Sequence, residues 1–184
     1  MQEAHRKTLT LVLGGVRSGK SRYAQQLALR FAPVTFIATA RVSDDEMQVK
    51  VQRHRNERPE EWDTVEEPLE LAPVLAHHGS TSRLLIIDCL TLFASNLLEA
   101  DGETSASIDR RVETLCDALI SVPCSVVLVS NEVGSGVVPA YFSGRRFRDL
   151  LGEINQRIAS LADNVVFMVA GLPLALKGKA EVQP

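Results

Sequence analysis

Gly14-Gly15-Val16-Arg17-Ser18-Gly19-Lys20-Ser21 decides the reading of this chain. It matches G-x-x-x-x-G-K-[ST], the phosphate-cradling P-loop. Its flanks supply the context the motif needs. Residues 8–13 read as a buried strand, and residues 22–31 as a helix with Tyr23, Leu27 and Phe31 apolar. Glycines let backbone N–H groups wrap phosphate oxygens. Lys20 brings a mobile positive charge to the β- and γ-phosphates, and the Ser21 hydroxyl is placed to ligate Mg²⁺. The helix N-terminus adds its partial positive charge. The stretch predicts nucleoside triphosphate binding without saying what is done with the phosphate.

Working outward, strands and helices alternate. Residues 34–38, 84–88, 125–130 and 165–169 are apolar strand-like runs. Helices are expected near 69–76, 91–100, 107–120 and 145–162, with His77 and His78 in a surface loop. Ser43 with Glu46 three residues later forms a capping box that opens a further helix, running to about 58 before Pro59. Continuous apolar strands separated by helices indicate an α/β domain with a mostly parallel sheet covered on both faces. The 184 residues suit one domain. Residues 1–7 and about 172–184 are expected to be loosely ordered.

A formal net charge of −3 argues against a general nucleic-acid binder. The three cysteines, Cys89, Cys116 and Cys124, form no C-x-x-C pair and suit a reducing cytoplasm. The first seven residues do not read as a signal peptide, and no apolar run has the length of a membrane span.

Asp88 ends an apolar strand, as a Walker-B aspartate does, and ligands of open α/β sheets bind beyond the carboxyl ends of the strands. There it can hold Mg²⁺ directly or through water; the alternative is an aspartate that caps the next turn. Glu132, in Asn131-Glu132-Val133-Gly134-Ser135-Gly136, follows another strand end. It suits either a carboxylate that handles a proton or a hydrogen-bonded loop. No N-K-x-D is present, and Asp88-Cys89-Leu90-Thr91 lacks the switch pattern D-x-x-G, so a signalling GTPase is not indicated.

His54 shares a helical face with Lys50 and Arg58. Cations around an imidazole disfavour its charged form and leave a neutral, nucleophilic nitrogen. Spacing alone equally describes an exposed histidine on a basic surface stripe, and that simpler reading is the one the pattern favours.

The residues together resemble a known family. Gly14 through Arg22, Ile37-Ala38-Thr39-Ala40, Asp44-Asp45-Glu46-Met47 and Arg53-His54-Arg55 through Arg58-Pro59 carry the resemblance. So do Trp62 with Thr64 and Glu66, Thr91 with Asn96, Asn131-Glu132-Val133-Gly134 with Val138-Pro139, and Phe147-Arg148-Asp149-Leu150 with Asn155. The chain resembles the bifunctional adenosylcobinamide kinase / adenosylcobinamide-phosphate guanylyltransferase family of cobalamin biosynthesis. The resemblance implies a RecA-like P-loop NTPase fold, a homotrimer and two reactions. The first phosphorylates the aminopropanol hydroxyl of adenosylcobinamide, with ATP or GTP as donor. The second transfers GMP from GTP to adenosylcobinamide phosphate through a histidine, here His54, releasing pyrophosphate. By the same resemblance Gly14 to Ser21, Ala38, Thr39, Ala40, Arg55, Asn56, Glu57, Arg58, Glu66 and Asp88 bind GTP. Two other readings stay open: a P-loop kinase of another small metabolite, and a RecA-like nucleotide-binding assembly protein.

Overall fold

A strand buried on both faces requires helices on both sides of its sheet, and the central strands here are of that kind. The computed structural model describes residues 6–41, 58–100 and 104–180. The expected helix from Ser43 to about 58 lies outside these residues, except for Arg58 itself, which is not helical. β1 (Leu9–Gly14) runs through the glycine loop into α1 (Lys20–Ala28), followed by β2 (Val34–Ala38), β3 (Asp63–Glu66) and α2 (Leu71–His78). Then come β4 (Leu84–Asp88), α3 (Leu90–Glu99), α4 (Ser105–Ser121), β5 (Ser125–Val129) and α5 (Phe142–Leu161). β6 (Asn164–Val169) and β7 (Leu172–Lys177) close the chain.

The strands form one seven-stranded sheet in the order β3-β2-β4-β5-β1-β6-β7. Every neighbouring pair is parallel except β6 with β7. Alternation within each strand sends its side chains to two cores. Val12, Phe36, Ile86, Val127 and Val166 pack with Tyr23, Ala24 and Leu27 of α1 on one face. Leu11, Ile37, Leu85, Ile87, Val126 and Leu128 pack with α2 to α5 on the other. The connection leaving β1 therefore crosses one face, while those leaving β4 and β5 cross the opposite one. β1 and β5 are neighbours, so a topological switch point opens at their carboxyl ends, where ligands of such sheets bind.

Three expectations change. Helix α1 stops at Ala28, before Phe31. A tighter turn, Phe31 N donating to Ala28 O at 2.9 Å, returns Phe31 to the core edge. His77 and His78 end α2 instead of forming a loop, and their basic rings suit a helix C-terminus. The segment after Gly171 is no loose tail through Lys177 but the antiparallel strand β7. Ala170 and Gly171 both have positive φ, 51° and 83°, the requirement of a tight two-residue hairpin.

Candidate active site

The glycine loop keeps its shape because side chains are missing where the backbone is crowded. Gly14 has φ 150°, and a Cβ there would lie 2.5 Å from Met168 O and 2.7 Å from Ser18 Oγ. Gly19, at φ 98°, precedes the helix and gives it no side-chain cap. The first N–H groups of α1 are thus left for a ligand, and an anion is what they favour. The β6–β7 turn braces the loop from behind, with Gly171 N donating to Ser18 O at 3.0 Å.

Lys20 is buried, and its ammonium donates to Gly15 O at 2.6 Å. Burial pulls its pKa below the ordinary lysine value, while Cys89 and Asp88 nearby act in the opposite sense. A buried ammonium with so little compensation gains when an anion arrives. The Ser18 hydroxyl is also buried and has no hydrogen-bond partner among the described residues. Bare backbone, an under-compensated cation and an orphaned hydroxyl together fit a phosphate chain. Ser21, at the first turn of α1, and Asp88, at the end of β4, supply oxygen donors of the kind Mg²⁺ takes. No group of three or more His, Cys, Asp and Glu among the described residues could hold a metal ion by itself.

Thr39 joins the ends of β2 and β4. Its hydroxyl donates to Cys89 O and accepts from Cys89 N, both at 2.7 Å, and its backbone N donates to Asp88 O at 3.2 Å. Asn96 of α3 donates to Thr39 O at 2.8 Å and to Pro68 O at 3.1 Å. Thr39 is wholly buried, so its hydroxyl fastens the strand ends together. Burial, with the Asp88 charge beside it, pushes the Cys89 thiol up to about 11, so it stays protonated at neutral pH.

The end of β5 is clamped likewise. Ser130 Oγ donates to Asn155 Oδ1 at 2.6 Å, and Asn155 Nδ2 donates to Asn131 O at 3.1 Å. Asn131 N donates to Thr91 Oγ1 at 2.9 Å, and Glu132 N to Gly14 O at 3.1 Å. Leaving one such buried group unpaired costs about 1–3 kcal/mol. Asn96, Thr91 and Asn155 have these roles although spacing did not single them out. The available signal was polarity in an apolar stripe: Asn155 lies among Leu151, Ile154 and Ile158, the buried face of α5. The Glu132 carboxylate accepts from Gly134 N and so takes part in the turn after β5.

The other residues expected to bind GTP lie further off. Glu66 is exposed at the end of β3, in register with Ala38. β3 is four strands from β1, roughly 19 Å at the usual strand spacing. One phosphate group cannot touch both, whereas an elongated nucleotide running from β1 toward β3 can. Ala40 is half-buried just past β2. The Arg58 guanidinium stands 3.5 Å over the Phe36 ring, which ties it to β2. His54, Arg55, Asn56 and Glu57 lie outside the described residues.

Comparison with known proteins gives a coherent picture. The family model of cobinamide kinase / cobinamide phosphate guanyltransferase matches residues 10–176. The chain is 45% identical over 170 residues to the bifunctional adenosylcobalamin biosynthesis protein CobP of Pseudomonas aeruginosa, covering 92% of this chain and 97% of that protein. It is 37% identical over 180 residues to the bifunctional adenosylcobalamin biosynthesis protein CobU of Salmonella typhimurium, covering 92% and 99%. Among solved structures, an ATPase from the type III secretion system of pathogenic bacteria superposes with a TM-score of 0.56 at 11% identity. That likeness covers 91% of this chain and 56% of the ATPase, and it is one of fold alone.

Proposed function

The chain belongs to the cobinamide kinase / cobinamide phosphate guanyltransferase family, and from that premise we propose how its residues share the work. It is a bifunctional transferase of adenosylcobalamin biosynthesis, a cobinamide kinase and a cobinamide-phosphate guanylyltransferase. In our reading one P-loop serves both reactions. Residues 14–21 hold the triphosphate of ATP or GTP, and Lys20 neutralises charge that builds on the β- and γ-oxygens. Ser21 and Asp88 would hold Mg²⁺, which supplies further neutralisation of the phosphate oxygens when bound. In the kinase step the hydroxyl of adenosylcobinamide attacks the γ-phosphorus and the nucleoside diphosphate leaves. In the second step a His54 nitrogen attacks the α-phosphorus of GTP and pyrophosphate leaves. The phosphate of adenosylcobinamide phosphate then takes the GMP and frees the imidazole. Arg55, Asn56, Glu57, Arg58, Glu66, Ala38 and Ala40 bind the guanosine end, whereas Thr39, expected among them, is wholly buried and instead holds the ends of β2 and β4 together.

The observation that carries the reading is the buried Lys20 ammonium held in the glycine loop by Gly15 O, with Asp88 at the carboxyl end of β4. Asp88→Asn keeps the shape and removes the charge. It is expected to raise the Mg²⁺ concentration at half-maximal rate severalfold and to lower both rates. A metal titration identical to wild type would make Asp88 structural.

We also propose a cytoplasmic homotrimer. No helix among the described residues is long and apolar enough to cross a membrane, and Cys89, Cys116 and Cys124 are free thiols, as a reducing compartment favours. Support for self-association comes from β7. Leu172, Leu174 and Leu176 alternate along it and so share one face, at 59%, 56% and 60% exposure. Val169, paired with Leu172, is 52% exposed beside them. An apolar edge strand left bare invites association. Sedimentation equilibrium is expected to give about three times the 20.1 kDa chain mass, and Leu174→Lys to weaken the assembly. A wild-type monomer at micromolar concentration would contradict the trimer.

A further inference from the structure

Between β5 and α5 the chain presents Val137, Val138, Tyr141 and Phe142 to solvent, at 96%, 60%, 81% and 70% exposure. Scattered exposed apolar residues are ordinary, but four within six positions form a patch of the kind that marks binding. The backbone beneath them is fixed. At its root Glu132 N donates to Gly14 O at 3.1 Å, tying it to the P-loop strand, and Gly134 N donates to the Glu132 carboxylate. At its far end Arg145 Nη1 donates to Pro139 O at 3.0 Å and to Ala140 O at 2.7 Å. Gly144 lets Pro139 lie on the first turn of α5, since a Cβ there would come within 2.8 Å of Pro139 Cβ. The main chain is thus held while its large side chains stay in water. Such a surface is ordered before its ligand comes, which lowers the cost of binding.

We propose that Val137, Val138, Tyr141 and Phe142 seat the corrin macrocycle of cobinamide. The proposal rests on the family's kinase and guanylyltransferase reactions being those of this chain. Place and surface chemistry favour this occupant. Only the hydroxyl arm of the corrin has to reach the phosphates, so the ring itself can rest on an open surface beside them. The loop root lies against Gly14, so a ring resting on the loop borders the nucleotide. A corrin offers broad apolar faces with amides at the rim. Aliphatic and aromatic side chains match the former, and the Tyr141 hydroxyl can hydrogen-bond to the latter.

The test is equilibrium dialysis of adenosylcobinamide, read by its visible absorbance, against Val137→Ser, Tyr141→Ala and the conservative Tyr141→Phe. Nucleotide binding and sedimentation are measured on the same samples. We expect corrinoid affinity to fall about tenfold or more for the first two variants, from the apolar contact removed, and to fall less for Tyr141→Phe, which keeps the ring and loses only the hydroxyl. Nucleotide affinity and sedimentation should not change. Unaltered corrinoid affinity in both disruptive variants, with wild type binding normally, would overturn the seat and leave the enzymatic reading standing. Variants that sediment as smaller species would assign the patch to a second copy of the chain and overturn it as well. A wild type that binds no corrinoid would overturn the enzymatic reading itself, and the seat with it.

Discussion

Lys20→Ala is expected to lower both the kinase and the guanylyl-transfer rate by roughly a hundredfold or more, the usual scale for removing a preorganised charge from a developing oxyanion. The ammonium is buried, spends one hydrogen bond on Gly15 O, and has its pKa drawn down by burial. It therefore sits where phosphate charge is worth more to it than water would be. Both reactions begin from a triphosphate in the same cradle, so one substitution should depress both. The fold should survive, because the loop is shaped by Gly14 and Gly19 and braced by Gly171, none of which depends on the lysine. Steady-state rates with adenosylcobinamide and with its phosphate, measured on the same variant, check this. A variant that loses one activity and keeps the other at wild-type rate would mean that the two reactions do not share this loop.

The sequence made the cradle and the central strands legible for a plain reason. The cradle is a backbone shape that few residues permit, and the strands are buried on both faces and so are apolar throughout. β7 was hidden because it lies at an edge. Its alternation, Leu172, Leu174, Leu176, is that of a strand, but Pro173 and the polar residues that follow read as a tail. The end of α1 was misplaced because Phe31 fits a helical spacing, although a turn after Ala28, not the helix, returns it to the core. The place of Asp88 at a strand end was legible, and β4 does end there. Thr39 appeared only as part of a stretch, and what it does could not be read there. Its partners are the backbone of Cys89, fifty residues away, and Asn96. Asn155 serves Ser130 and Asn131 in the same way. Hydrogen bonds between a side chain and a distant backbone leave no period or spacing in a sequence.

His54→Ala should abolish guanylyl transfer and leave appreciable kinase activity, because only the former passes through an imidazole in this account. In this account the cations near it in sequence, Lys50, Arg55 and Arg58, would attract the triphosphate. A phosphoramidate on that nitrogen is acid-labile and comparatively base-stable. The most direct measurement is incubation of wild type and His54→Ala with Mg²⁺ and GTP labelled in its α-phosphate, followed by mapping of any covalent label. The account predicts GMP on His54 of the wild type, released by acid and passed to adenosylcobinamide phosphate when it is added, and no label on the variant. Label at another residue, or a wild type that makes the GDP product without ever carrying label, would contradict it.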